Sequence, residues 1–172
     1  VYKRQLPLLP DEEPPLEEPP ELIREVVAQV RDLFPILGNL DAFGDLPSED
    51  EMVGHFVLPL LRCLGWPPER IAVKWNYIDI ALFRALPRVP TNCSLVIEAK
   101  RIGAGVEGAL EQAKGYVKSL GLTCDVMVTD GIRYRLYSCA DDFAPVAYAN
   151  LARLKQSALT LIARLRTGSG RR

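Results

Sequence analysis

The sequence predicts an α/β or α+β fold, with a mixed central sheet of about five strands flanked by helices. Three observations carry this expectation. Apolar residues make up 48% of the 172, enough for one domain with a core that needs no metal or disulfide staple. Stretches rich in β-branched and aromatic residues alternate with stretches whose apolar residues recur at helical spacing. In order they read helix, helix, three strands, helix, two strands, helix, with no internal repeat.

Residues 1–20 form a Pro/Glu-rich arm. Positions 6–20 hold six prolines and five acids and read as an extended, solvated segment, and the opening VYKRQ is set aside from the fold. Residues 21–34 read as a short amphipathic helix with Leu22, Val26, Val30 and Leu33 on one stripe, followed by a loop broken by Pro35, Gly38 and Gly44. This N-terminal unit closes at 46, and the main domain is expected over 47–166. Ser48 and Glu51 make a capping box that opens the next helix. Its buried stripe is Phe56, Val57, Leu60, Leu61 and Leu64, and Gly65-Trp66-Pro67-Pro68 stops it. Strands follow at 70–75, 77–83 and 95–101. A helix spans 106–120 and ends at Gly121. Strands at 125–129 and 133–138 are joined by the hairpin dipeptide Asp130-Gly131. A last amphipathic helix covers 151–166, with Leu151, Leu154, Ala158, Leu161, Ile162 and Leu165 inward, and residues 167–172 form a basic tail.

The net charge of -1 hides a segregation. Residues 1–69 carry 5 basic and 14 acidic side chains, residues 70–139 carry 10 and 6, and residues 140–172 carry 6 and 2. A basic back half is compatible with a phosphate-bearing partner and equally with an ordinary solvated surface. No run approaches the roughly 18 apolar residues of a membrane span, and no apolar leader opens the chain, so a cytoplasmic protein is expected. Four cysteines without a CxxC pair point to reduced thiols. A single histidine, His55, excludes sites that need two, such as HExxH zinc proteases. Chemistry must rest on carboxylates, lysines and amides.

Two strands carry charge where a buried sheet should be apolar. In 77–83, Ile78, Ile80 and Leu82 share one face, while Tyr77, Asp79, Ala81 and Phe83 share the other. In 95–101, Leu95, Ile97 and Ala99 point one way, and Val96, Glu98 and Lys100 the other. Glu98 and Lys100 are therefore side by side, roughly 7 Å apart at Cα. Burying such ions is costly unless they are compensated, and a divalent cation held by Asp79 and Glu98 would compensate them. The plainer alternative is an exposed edge pair at 98 and 100 with a strand-end acid at 79. On the following helix, Gln112 and Tyr116 stand one turn apart on the face that carries Ala109, Ala113 and Leu120.

Asp79, then Glu98-Ala99-Lys100, then Gln112-x-x-x-Tyr116, in that order, resembles the PD-(D/E)xK restriction-endonuclease-like superfamily. Within it the chain is most similar to the N-terminal nuclease domain of the type I restriction enzyme R subunit. Ser48-Glu49, ten residues before Pro59, resembles that family's opening helix, and VMVTDGIRYRLY resembles its later hairpin. The likeness covers about residues 47–140. Val53 departs from it, standing where the family often has a basic residue. The resemblance implies a restriction-endonuclease-like core and a Mg2+-dependent (or Mn2+-dependent) endonuclease that hydrolyses DNA, here a module without the ATP-driven motor. Its partners would be DNA, other restriction-modification subunits or a second copy. Asp79 and Glu98 would hold the metal, with the backbone carbonyl of Ala99 as a third oxygen and Glu49 as a further donor. Lys100 would orient the attacking water or offset charge on the phosphate. Gln112 and Tyr116 would position the active-site strand or the DNA backbone.

Two other readings stay open. One is a catalytically silent, nuclease-like module that binds DNA or assists assembly. The other takes Gly103-x-Gly105-x-x-Gly108 as a dinucleotide-binding loop. Against it, the strand feeding those glycines ends Glu-Ala-Lys-Arg instead of remaining apolar.

Overall fold

β-Branched and aromatic residues drive six strands into one sheet: β1 (Ile71–Trp75), β2 (Ile78–Phe83), β3 (Cys93–Ala99), β4 (Asp125–Thr129), β5 (Arg133–Ser138) and β6 (Ala144–Asn150). Their order in space follows their order in the chain. Neighbours are antiparallel except β3 and β4, which run parallel and are connected through helix α2 (Glu107–Ser119). The fold is therefore α+β with a mixed sheet. The computed structural model describes residues 46–104 and 107–153, together with Ala28, Thr160 and residues 163–165. The expected helix at 21–34 lies outside the described residues apart from Ala28. So do the proline-rich arm, most of the expected helix at 151–166 and the basic tail. Among the described residues no helix is long and apolar enough to cross a membrane.

The sixth strand departs from the expected five. Ala144–Asn150 contains Pro145 and three alanines, and its turn from β5 uses Asp142 and Phe143, both at positive φ, with no glycine to announce it. As the outermost strand it pairs only with β5, so a weak β-former suffices there. β3 also begins two residues earlier and ends two earlier than expected, which leaves Lys100 just past its end.

Helix α1 covers 49–63. Ser48 caps it: its hydroxyl accepts from the Glu51 N–H, while the Glu51 carboxylate accepts from the Ser48 N–H at 2.7 Å. The helix runs as α-helix over Glu49–Met52, widens to π-helix over Val53–Val57 and returns to α over Leu58–Cys63. Val53, Val57, Leu60 and Leu61, with Leu64 at the helix end, pack on one sheet face with Ile80, Leu82, Leu95, Ile97, Ala99 and Met127. The other face packs Ala81, Phe83, Val96, Val126 and Val128 against Ala109, Ala113 and Val117 of α2. Strand alternation thus holds as expected, except that Ile78 joins the α2 side and Tyr77 stands in the β1–β2 turn, 85% exposed. Trp66 ties the end of α1 to the chain's last described residues, donating its ring N–H to the Leu165 carbonyl at 2.5 Å.

The β4–β5 hairpin seats the sheet beneath the start of α1. Gly131 is in the left-handed region (φ +86), and a Cβ there would collide with Met52 Cε. That atom is the far end of a flexible side chain and can shift, so the left-handed backbone carries most of the cost of a side chain here. Gly131→Ala is therefore expected to destabilise the domain by about 1–3 kcal/mol, chiefly through positive-φ strain. A urea titration reads this as a lower midpoint at unchanged slope, and an unshifted midpoint would contradict the backbone strain.

Candidate active site

The β2–β3 register brings two acids face to face. Ile80 pairs with Ile97 and Ala81 with Val96, and one further step along the same register sets Asp79 opposite Glu98 on the α2 side of the sheet. Asp79 is 4% exposed and Glu98 2%, in β2 and in the interior strand β3. The exposed edge pair considered from the sequence is thereby excluded. At this end of the sheet Asp79 takes over part of the ladder: its Oδ2 accepts from the Ala99 backbone N–H at 2.9 Å. Its Oδ1 accepts from Lys74 Nζ at 2.6 Å.

Glu98 is satisfied on one side only. Its Oε1 accepts from Lys100 Nζ at 3.0 Å, while Oε2 is buried with no hydrogen-bond partner. An orphaned carboxylate oxygen in a low-dielectric site disfavours ionisation. Burial, then the neighbouring Asp79, push the Glu98 carboxyl up to about 7 against the opposing pull of Lys100. Burial works in the other direction on Lys100, but Glu98, Glu49 and Asp79 outweigh it and hold its ammonium above the ordinary range. Lys100 is a fixed cation at neutral pH.

Helices complete the site from both sides. From α1, Glu49 Oε1 stands 3.9 Å from Lys100 Nζ. From α2, Gln112 Oε1 accepts from Lys100 Nζ at 3.2 Å, and Gln112 Nε2 donates to the Tyr116 hydroxyl at 3.0 Å. All six sequence-predicted side chains, Glu49, Asp79, Glu98, Lys100, Gln112 and Tyr116, thus belong to one neighbourhood. The backbone of Ala99 enters it through its N–H. One placement differs. Gln112 is exposed rather than on the buried face, because the inward stripe of α2 is Ala109, Ala113 and Val117, and Gln112 flanks it at the rim.

Sequence reasoning missed Lys74 and Asp50. The Lys74 ammonium bridges Asp79 and, at 3.2 Å, Asp50 of α1. Counting could have found Lys74. A two-residue turn at Asn76 and Tyr77, both at positive φ, sets Trp75 against Ile78 and therefore Lys74 across from Asp79.

Among the described residues no three His, Cys, Asp or Glu side chains are already gathered as a metal cage. The donors that could hold a hard cation are Asp79 and Glu98, with Glu49 at the rim. The unpartnered, buried Glu98 Oε2 is the atom that fits such a ligand. No family model, curated protein or solved structure matches the chain.

The raised Glu98 pKa has a sign that stability measurements can read. Between about 4.5, its unfolded value, and about 7 the folded state binds the extra proton, so stability from this group falls as pH rises through that window. Glu98→Gln removes the ionisable group. In divalent-free buffer it is expected to be more stable than the parent at pH 8, by about 1–3 kcal/mol, with the gain vanishing near pH 4.5. Denaturant melts at the two pH values check this, and a gain independent of pH would contradict the assignment.

Proposed function

We propose that this chain is a metal-dependent nuclease domain of the PD-(D/E)xK type, with a restriction-endonuclease-like core, hydrolysing phosphodiester bonds in DNA. The observation that carries the reading is buried Asp79 neighbouring buried Glu98 on the adjacent strand, with Glu98 half-satisfied and a charged Lys100 3.0 Å from it. The likeness to the nuclease domain of type I restriction R subunits, argued above from the order Asp79, Glu98-Ala99-Lys100, Gln112-x-x-x-Tyr116, points the same way. On this reading the protein works on DNA in the cytoplasm, alone, as a self-dimer or beside other restriction-modification subunits.

The cofactor this requires is Mg2+ or Mn2+, and the oxygen-only donor set suits a hard cation. Asp79 and Glu98 would hold it, with the Ala99 carbonyl and Glu49 as the remaining protein donors. When bound, the cation supplies Lewis acidity at the scissile phosphate and eases deprotonation of the attacking water. The chain's own residues do the rest. Lys100, kept charged by three acids, stabilises negative charge growing on the phosphate oxygens. Gln112 fixes the direction of that ammonium, and Tyr116 fixes Gln112. Asp79, bound to the Ala99 N–H, locks β2 to β3 so that the two acids keep their spacing.

A silent DNA-binding module is the second reading; the intact Asp79, Glu98 and Lys100 favour activity over it. The dinucleotide reading is weaker. Among the described residues a single parallel strand pair, β3–β4, flanks any such loop, and β3 carries the buried Glu98 next to its last residue.

Purified protein is expected to nick supercoiled plasmid with Mg2+ or Mn2+ and not with EDTA. Asp79→Asn and Lys100→Ala should each lower the rate by about 100-fold or more while circular dichroism stays unchanged. Undiminished cutting by both variants would assign the activity to a contaminant. Metal-independent binding of DNA without cutting would favour the silent module, and thermal stabilisation by NAD the dinucleotide reading.

A further inference from the structure

We propose that Lys74 is a displaceable counter-ion: its ammonium neutralises Asp79 in the metal-free protein, and a divalent cation must compete with it for the carboxylate. The inference rests on the metal-site reading above and adds to it a residue that sets how tightly the cation is held.

Three features of Lys74 support this. Its Nζ lies 2.6 Å from Asp79 Oδ1, while Asp79 Oδ2 is committed to the Ala99 N–H. Oδ1 is therefore the oxygen through which Asp79 would ligate a cation without breaking the β2–β3 link, and Lys74 occupies it. The Lys74 side chain is 52% exposed, against 6% for Asp79, so the ammonium reaches a buried acid from a solvent-facing stem. It also has a second acceptor ready. Asp50 Oδ1 is 3.2 Å from the same Nζ, and the Asp50 side chain is 79% exposed at the first turn of α1. A small swing transfers Lys74 from Asp79 to Asp50 without leaving its charge unpaired.

The backbone adds an independent sign. Lys74 has φ +53 in the middle of β1, between the Val73–Ile80 and Trp75–Ile78 pairs, where a non-glycine residue is strained. Hydrogen bonding to Asp79, working against partial burial, holds its pKa above the ordinary lysine value, so it competes as a full positive charge at neutral pH. Lys100 does not share this role at Asp79, because its hydrogen bonds go to Glu98 and Gln112.

Mn2+ binding to the whole chain, followed by the electron paramagnetic resonance of the free ion, tests this without reference to cleavage. Lys74→Met is expected to tighten Mn2+ binding about tenfold, because the competitor is gone. Arg101→Met removes the same charge from an exposed neighbour outside the Asp79 pair, and should change binding by less than about twofold. Equal tightening in both variants would reduce the effect to long-range charge and overturn the proposal, as would unchanged or weaker binding in Lys74→Met. If Lys74→Met does not fold, Lys74→Arg serves. Its planar fork should grip Asp79 harder and weaken Mn2+ binding several-fold, and parental affinity would overturn the proposal. Absence of Mn2+ binding in the parent and in Lys74→Met alike would overturn the metal site itself, a result distinct from parental and variant proteins binding equally well.

Discussion

The structure is organised around one electrostatic constraint: two carboxylates buried opposite each other on adjacent strands. Burial and the neighbouring Asp79 both disfavour the ionised form of Glu98, so its charge needs compensation from the groups around it. Everything nearby is arranged around that charge. Lys74 arrives from β1, Lys100 from just beyond β3, the Ala99 N–H from the backbone between, and Glu49 and Asp50 from the first turn of α1. The capping box at Ser48 and Glu51 has a second consequence here. By fixing where α1 starts, it fixes where the two acids between its members point.

Much of this was legible from residue order. Strand alternation grouped Asp79 with Ala81 and Phe83 in one strand and Glu98 with Val96 and Lys100 in the next, and helical spacing put Gln112 one turn before Tyr116. Charge in an otherwise apolar strand was the informative signal, since burial of an ion demands a reason. What escaped notice was Lys74, in a strand that looked ordinary because lysines there are usually solvated. Only pairing β1 with β2 through the Asn76-Tyr77 turn reveals its partner, and that turn lacks the Asn-Gly or Asp-Gly signature. β6 was missed for a related reason, its glycine-free turn at Asp142 and Phe143 giving no sign that the chain doubles back.

Helix α1 shows a pattern that could have been read further. Its buried residues are Met52, Phe56, Leu60 and Leu64 in one row and Val53, Val57 and Leu61 in the next, a repeat of four. Three such repeats exceed three α-helical turns by about one residue, which is the excess a single π segment absorbs. Val53–Val57 is that segment. Without it the far rows would rotate off the sheet, or the first turn would rotate Glu49 away from Lys100. The widened turn lets one helix meet a core at one end and a polar site at the other.

Counting charge in the site gives a further physical reason for a divalent ion. Glu49, Asp50, Asp79 and Glu98 face Lys74 and Lys100, so with every acid ionised two negative charges stay uncompensated. The imbalance is not shared evenly. Asp79 has both oxygens bonded, whereas Glu98 has an empty one, and the proton therefore collects on Glu98. A monovalent cation would leave one charge over, and a third lysine would need three donors' worth of acceptors where one oxygen is free. A doubly charged, oxygen-seeking ion matches both the charge and the open oxygen, and its binding would drive the proton from Glu98. On the proposed reading, the residue whose charge costs the fold most is thus the one with most to gain from a ligand.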